Sequence, residues 1–317
     1  MTPDEIDGRL WLAGVGGTQL AAHVTRASAG PPTQPPLVYV HGGPGVADMA
    51  HDVPVLAGLA TVRDVWVYDQ IGAGASDRLA DPSGYTMRRA VSDLEAVADA
   101  ATATSGHDDV VLLGHSWGAG VASVFAAEQP DRVAALVLSA PGQSPLGAAP
   151  AVSGDPTAGL STRDTLRLYA ELAKPRNTFV YALTAAAPDV AHVAAGDHEM
   201  DRRFAAVYDL TTAAMFCDPG LQDRLGVQGA GYYANQMPQL HDRSPITVLN
   251  RQAIDELPVL VLRPECDYLT REMTTSNIQV FPQARFVVLP RAGHAAHHER
   301  PDSYRRVVAS FLNSALH

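Results

Sequence analysis

The sequence predicts an α/β protein: a doubly wound, mostly parallel sheet interrupted by a helical insertion. Short apolar runs of strand length alternate with stretches of helical spacing over the first 140 or so residues. Gly-rich turns come directly after several of those runs, and the strand pattern stops at Gly142 and resumes at Val259.

Arg9–Leu12 and Thr18–Val24 read as an antiparallel ribbon around a Gly-rich turn. Leu37–Val40 is a buried strand that runs into His41-Gly42-Gly43-Pro44-Gly45, and Val65–Tyr68 is another that runs into Asp69-Gln70-Ile71-Gly72-Ala73-Gly74-Ala75-Ser76. Val91, Leu94 and Val97 give 87–103 a helical apolar spacing. The β-branched run 109–113 and the run 135–138 are two more strands, with a helix over 119–128 between them that Pro130 closes. From Gln143 to Leu160 the chain is rich in Gly, Pro, Ala and Ser without a period. Between Leu160 and about Asn250 the chain carries no buried strand. One helix starts there at Ser161, and another spans 197–215 with Met200, Phe204, Val207 and Tyr208 on one side. Strands at 259–262 and 286–289 and a helix over 303–312 complete the pattern. The expected organisation is a core from 1–142 and 251–317 with a lid from 143–250.

The chain of 317 residues has ample apolar content for a large core. Its net charge of −11 offers no basic stripe to neutralise phosphates, which argues against a nucleic-acid partner. No apolar run approaches membrane-spanning length, and Met1–Gly8 carries acids rather than a basic-then-apolar signal. The two cysteines, Cys217 and Cys266, stand in no metal or redox spacing. They point to packing residues in a reducing, cytoplasmic setting rather than to a disulfide framework.

Gly114-His115-Ser116-Trp117-Gly118 organises the chemistry. Between a buried strand and a helix, G-x-S-x-G makes a sharp turn with its serine at the apex, and glycines two positions away on either side leave room for it. A serine hydroxyl needs a base, and the base needs an orienting group. In open α/β sheets these come from loops beyond the carboxyl ends of strands. The strand ending at Leu262 leads to Glu265 and Asp267, either of which could serve as the acid. The strand ending at Leu289 leads to Gly293-His294, with His297 and His298 as rival bases close by. Backbone N–H groups must also meet the negative oxygen of an acyl-transfer intermediate; the residue after the nucleophile, Trp117, and Gly43 are placed to supply them.

With His41–Gly45, the Asp69-Gln70 motif and the Ser-Trp-Gly elbow in hand, the chain resembles the α/β-hydrolase superfamily over nearly its whole length, and within it the proline iminopeptidases. The resemblance implies an α/β-hydrolase fold with a helical cap, a Ser116–Asp267–His294 triad, no metal or cofactor, and a small-molecule or short-peptide substrate. It also implies cap carboxylates that hold the substrate's free amine. Glu171, Asp197, Glu199 and Asp201 lie in that segment, although three of them sit in a helix's first turn, where acids complement the dipole. Tyr232 and Tyr233, near Asn235, either line the substrate pocket or pack against the core. Ile71 replaces the family's arginine, and His115 stands where glycine is frequent, so the likeness to the peptide-cleaving members is incomplete.

Overall fold

The computed structural model describes residues 9–147, 155, 157–225, 229–242 and 251–316. The acidic stretch Met1–Gly8, part of the Gly/Pro loop after Gly142 and the lid boundary at residue 250 lie outside the described residues. The sheet has eight strands: β1 Leu10–Ala13, β2 Gln19–Thr25, β3 Leu37–Val40, β4 Val65–Tyr68, β5 Val110–His115, β6 Val133–Ser139, β7 Val259–Pro264 and β8 Arg285–Leu289. Their order is β1-β2-β4-β3-β5-β6-β7-β8. β2 pairs antiparallel with β1 and with β4, and every pairing from β4 to β8 is parallel.

Alternate residues of the central strands feed two cores. Val38, Val40, Leu112, Leu136 and Leu138 pack on one face, and Leu37, Tyr39, Val111, Leu113 and Val137 on the other. Helices α1 Met49–Leu56, α2 Met87–Ser105 and α3 Trp117–Glu128 belong to the first half of the chain. α2 is capped by the Thr86 hydroxyl at its start and stopped by Gly106, at φ 74°, at its end. α1, with Pro54 inside it, has no clear signature in the sequence.

Between the two halves of the sheet lie α4 Thr162–Leu172, α5 Pro175–Ala186, α6 Pro188–Ala194, α7 Asp197–Asp209 and α8 Tyr232–Leu240. Ser161 caps α4 as its sequence predicts, and α5 and α6 each begin with proline, which suits the first helical turn. The helix expected over 197–215 ends at Asp209 and continues as a 3₁₀ turn, Thr212–Met215. A two-residue bridge joins Gly229–Ala230 to Val46–Ala47, directly after the His41–Gly45 loop. The remaining helices are α9 Arg251–Glu256, α10 Arg271–Val280, α11 Ala296–Glu299 and α12 Pro301–Ala315. Among the described residues no helix is long and apolar enough to cross a membrane.

One expectation is overturned. Cys217 and Cys266 are bonded to each other, with their Cα atoms 5.4 Å apart. The bond ties the segment after the 3₁₀ turn to the loop after β7, which removes the cysteine-based case for a reducing compartment. Spacing could not show this, because the partners are 49 residues apart and meet only through the tertiary fold. Closing a loop of that length restricts the unfolded chain. The double variant Cys217→Ser/Cys266→Ser should lose about 2–4 kcal/mol of stability in urea titrations. An unchanged midpoint would show that the bond constrains nothing.

Candidate active site

β3 and β5 are neighbours from which successive crossovers run in opposite directions, so the loops at their carboxyl ends meet at the topological switch point. Val40 lies opposite Gly114 in the register. Ser116 sits two residues further on at φ 53°, a left-handed conformation that a non-glycine residue adopts only when its surroundings compel it. The flanking glycines are required by contact. A Cβ on Gly118 would fall on the carbonyl oxygen of Val40, and one on Gly114 on the carbonyl oxygen of Gly118. Gly42 is pressed against Ser116, and its own Cβ would stand 2.9 Å from that of the serine.

His294 lies in the loop after β8, and its Nδ1 is 2.9 Å from Asp267 Oδ1 in the loop after β7. Both side chains are buried, and the second oxygen, Asp267 Oδ2, has no hydrogen-bond partner. Glu265, the alternative acid, is exposed and accepts from the Arg291 amide at 2.7 Å, away from the imidazole. Ser116, His294, Gly42 and Gly43 line one cavity of about 70 Å³. Trp117 opens α3, where amides have no intrahelical acceptor, and its side chain lines a smaller depression on the other side of the loop.

The Asp69-Gln70 motif supports this site from behind. The Gln70 amide donates to His41 Nε2 at 2.9 Å and its side chain to the His41 carbonyl at 2.7 Å. Burial keeps His41 less basic than a free imidazole. Asp69 accepts from the Ala75 amide at 2.8 Å, and Gly74 passes so close to this carboxylate that a side chain there would collide with it. From the inserted segment, Asn235 donates to the Pro44 carbonyl at 2.7 Å and the Gly231 amide to the Gly45 carbonyl at 2.6 Å. The His41–Gly45 loop is thus held from both sides.

The structure does not bring the other expected substrate residues to this cavity. Glu199 is clamped by Arg176 at 2.8 Å and Arg203 at 2.9 Å, and the Arg176 hydrogen bond heads the causes that hold its carboxyl at about 2. Asp197 meets His192, Asp201 meets Arg78 and the Tyr232 amide, and Glu171 meets Lys174. Tyr232 donates to Thr184 at 3.0 Å and Tyr233 to the Ala195 carbonyl at 2.6 Å, inside an aromatic cluster with Tyr181 and Phe204. They pack; they do not line the cavity. The inserted segment reaches it instead through Tyr208, Met215 and Leu225.

Three further features have no clear mark in the sequence. Glu299 accepts from the amides of Gly293 (2.7 Å), Cys217 (3.0 Å) and Asp218 (2.9 Å), which fixes the His294 loop. Tyr268 packs on the His294 ring with centroids 4.7 Å apart. Third, Asp52 on α1 meets both rival histidines, His297 at 3.1 Å and His298 at 3.0 Å. Burial opposes the charge on Asp52, but the hydrogen bonds from the two histidines outweigh it and hold the carboxyl below its usual range. Burial, then His298, pushes His297 down to about 4. His115 lies between the two groups, 4.9 Å from the His294 ring and 4.7 Å from that of His297, and burial holds it well below the ordinary imidazole range. The adjacent His297-His298 pair is the one visible signal; nothing in the sequence points to Asp52.

Fold, switch-point location and strand-turn-helix serine together define a hydrolase of the α/β type, and residues 35–301 match the family model described as alpha/beta hydrolase fold. The chain belongs to that family and is a serine hydrolase of its kind. Within the family it is similar to the proline iminopeptidase of Heyndrickxia coagulans, 25% identical over 279 residues that cover 88% of this chain and 91% of that one. Among solved structures, the proline iminopeptidase of Mycobacterium smegmatis covers 97% of this chain and 98% of its own, at 23% identity and a TM-score of 0.58. A thermophilic esterase from Thermogutta terrifontis matches 98% and 99% of the two chains at 20% identity and a TM-score of 0.64. These two likenesses speak to the fold.

Asp69 provides a test of the supporting motif. Burial raises its carboxyl from 3.8 to about 6, against the opposing hydrogen bond from Ala75. The folded state therefore holds this proton more tightly than the unfolded chain does. That stabilisation is complete below the unfolded value and is lost as pH rises through about 6. Asp69→Asn keeps an acceptor for Ala75 and has no charge to bury. Its stability relative to the parent should rise by about 2 kcal/mol between pH 4.5 and 7 in denaturant titrations. A pH-independent difference would contradict the burial of this charge.

Proposed function

We propose that the chain cleaves an amide or ester of a small substrate through an acyl-Ser116 intermediate. The observation that carries this reading is the Asp267–His294 pair at 2.9 Å, opening on a cavity shared with Ser116 and Gly43. In this scheme His294 Nε2 takes the Ser116 proton as Oγ attacks the carbonyl carbon, and Nδ1–H donates to Asp267, which steadies the imidazolium. The amides of Gly43 and Trp117 donate to the oxyanion, an interaction worth about 10²–10³ in rate per donor. Collapse expels the amine or alcohol with the proton from His294. Water, deprotonated by the same histidine, then attacks the acyl carbon; the bond to Oγ breaks, His294 returns the proton to Ser116, and the acid leaves. The segment between about 143 and 250 acts as a cap that selects the substrate.

Release of an N-terminal proline or another small residue is the leading substrate reading, supported by the curated relatives. A specific observation favours a second: the cap carboxylates expected to hold a free amine are each engaged by a cation or a histidine. An esterase, lactonase or thioesterase needs no such carboxylate.

Prolyl and alanyl arylamides assayed beside short acyl esters separate the two. Turnover of esters alone overturns the peptidase reading. Ser116→Ala should fold normally, lose reaction with a fluorophosphonate probe, and fall by roughly 10⁵-fold or more in kcat on whichever substrate is turned over. Probe labelling at another serine, or retained turnover, would remove Ser116 from the mechanism.

A further inference from the structure

We propose that Asp52, His297 and His298 form a binding site for a first-row divalent metal ion of the Zn²⁺ type, adjoining the serine cavity. The donor atoms are already gathered. Asp52 Oδ1 is 3.1 Å from His297 Nε2 and 3.0 Å from His298 Nε2, and the three atoms lie within 4.8 Å of one another. Two ligands each about 2.0–2.1 Å from one ion, at tetrahedral or octahedral angles, stand roughly 2.8–3.4 Å apart. Small displacements of the side chains therefore admit an ion.

The donor chemistry selects its class. Two imidazoles and one carboxylate suit Zn²⁺, Co²⁺, Ni²⁺ or Fe²⁺, whereas Mg²⁺ and Ca²⁺ favour all-oxygen sets. Three protein ligands leave coordination positions open, the arrangement of sites that bind a water or substrate oxygen. All three residues line the cavity that contains Ser116, so those positions open where a substrate would lie.

Charge and burial point the same way. The three side chains are 2–4% exposed, and among the described residues no lysine or arginine pairs with Asp52. A carboxylate taken that far from water requires compensation, and the two imidazoles are the side chains that meet it. As a hydrogen-bonded cluster the group is also incomplete, since His297 Nδ1 is buried with no partner. A dication placed among the three would compensate the carboxylate directly. The serine chemistry does not depend on it, and the site goes beyond the metal-free expectation that the family resemblance carries.

The test uses the full chain, free of any histidine tag and stripped with chelator. Calorimetric titration with Zn²⁺ should show one tight equivalent, and Co²⁺ should give a visible ligand-field spectrum of the same stoichiometry. Ser116→Ala should bind like the parent, which separates this proposal from the hydrolase reading. Asp52→Asn and His298→Gln should each weaken binding by roughly 100-fold or more. If either variant misfolds by circular dichroism, anomalous diffraction from Zn²⁺-soaked parent crystals decides, with a peak expected between the three side chains. Absence of stoichiometric binding, binding unaltered in folded Asp52→Asn, or an anomalous peak only elsewhere overturns the site.

Discussion

Ser116 occupies a backbone conformation that costs of the order of 1–3 kcal/mol for a non-glycine residue, and the surrounding packing has to enforce it. Enforcement comes from β5 and α3, whose apolar residues from Val110 to Leu113 and from Val121 to Val124 are almost wholly buried. Pressing α3 down on the sheet brings Gly118 onto the Val40 carbonyl, and the register that sets Val40 opposite Gly114 also lays Gly42 against the serine. One constraint thus explains why glycine appears in three places around Ser116. It also explains why the loop after β3 must be fastened, by Gln70 from the sheet side and by Asn235 and Gly231 from the insertion.

A second fastening serves the opposite wall. His294 and Asp267 come from different loops, and their separation decides whether the imidazole is oriented. The Glu299 carboxylate gathers the amides of Gly293, Cys217 and Asp218 around itself, while the Cys266 amide donates to the Ala292 carbonyl at 2.9 Å. The Cys217–Cys266 bond closes the same circuit covalently, one residue before Asp267. The inserted segment is therefore tied to the loops that carry Asp267 and His294, and Met215, which lines the cavity, sits two residues before the bond.

The features legible in the sequence have local causes. Buried strands announce themselves by apolar, β-branched runs, and the elbow by the spacing of glycines that a tight strand-to-helix turn demands. The order serine, acid, histidine comes from reading which loops leave the carboxyl ends of parallel strands. The residues that escape such a reading depend on contacts across long stretches of chain. Asp52 meets His297 across 245 residues, and no periodicity marks either. Glu199 looks like a free carboxylate in the sequence, which does not reveal that α5 brings Arg176 alongside. For Tyr232 and Tyr233 the sequence leaves packing and pocket lining both open, and only the placement of Thr184 and Ala195 shows where their hydroxyls go.

His115 ties these observations together. A glycine at this position would leave the space between His294 and His297 open. The imidazole fills it, in contact with both rings and held uncharged by burial. Two carboxylate–histidine groups can then share one cavity without sharing a base: Asp267 orients His294, and Asp52 engages His297 and His298. His297 directs Nε2 at Asp52 and Tyr39, whereas His294 directs Nδ1 at Asp267 and lines the cavity with Ser116. His115 thus separates the Asp267–His294 pair from the Asp52 group within one cavity.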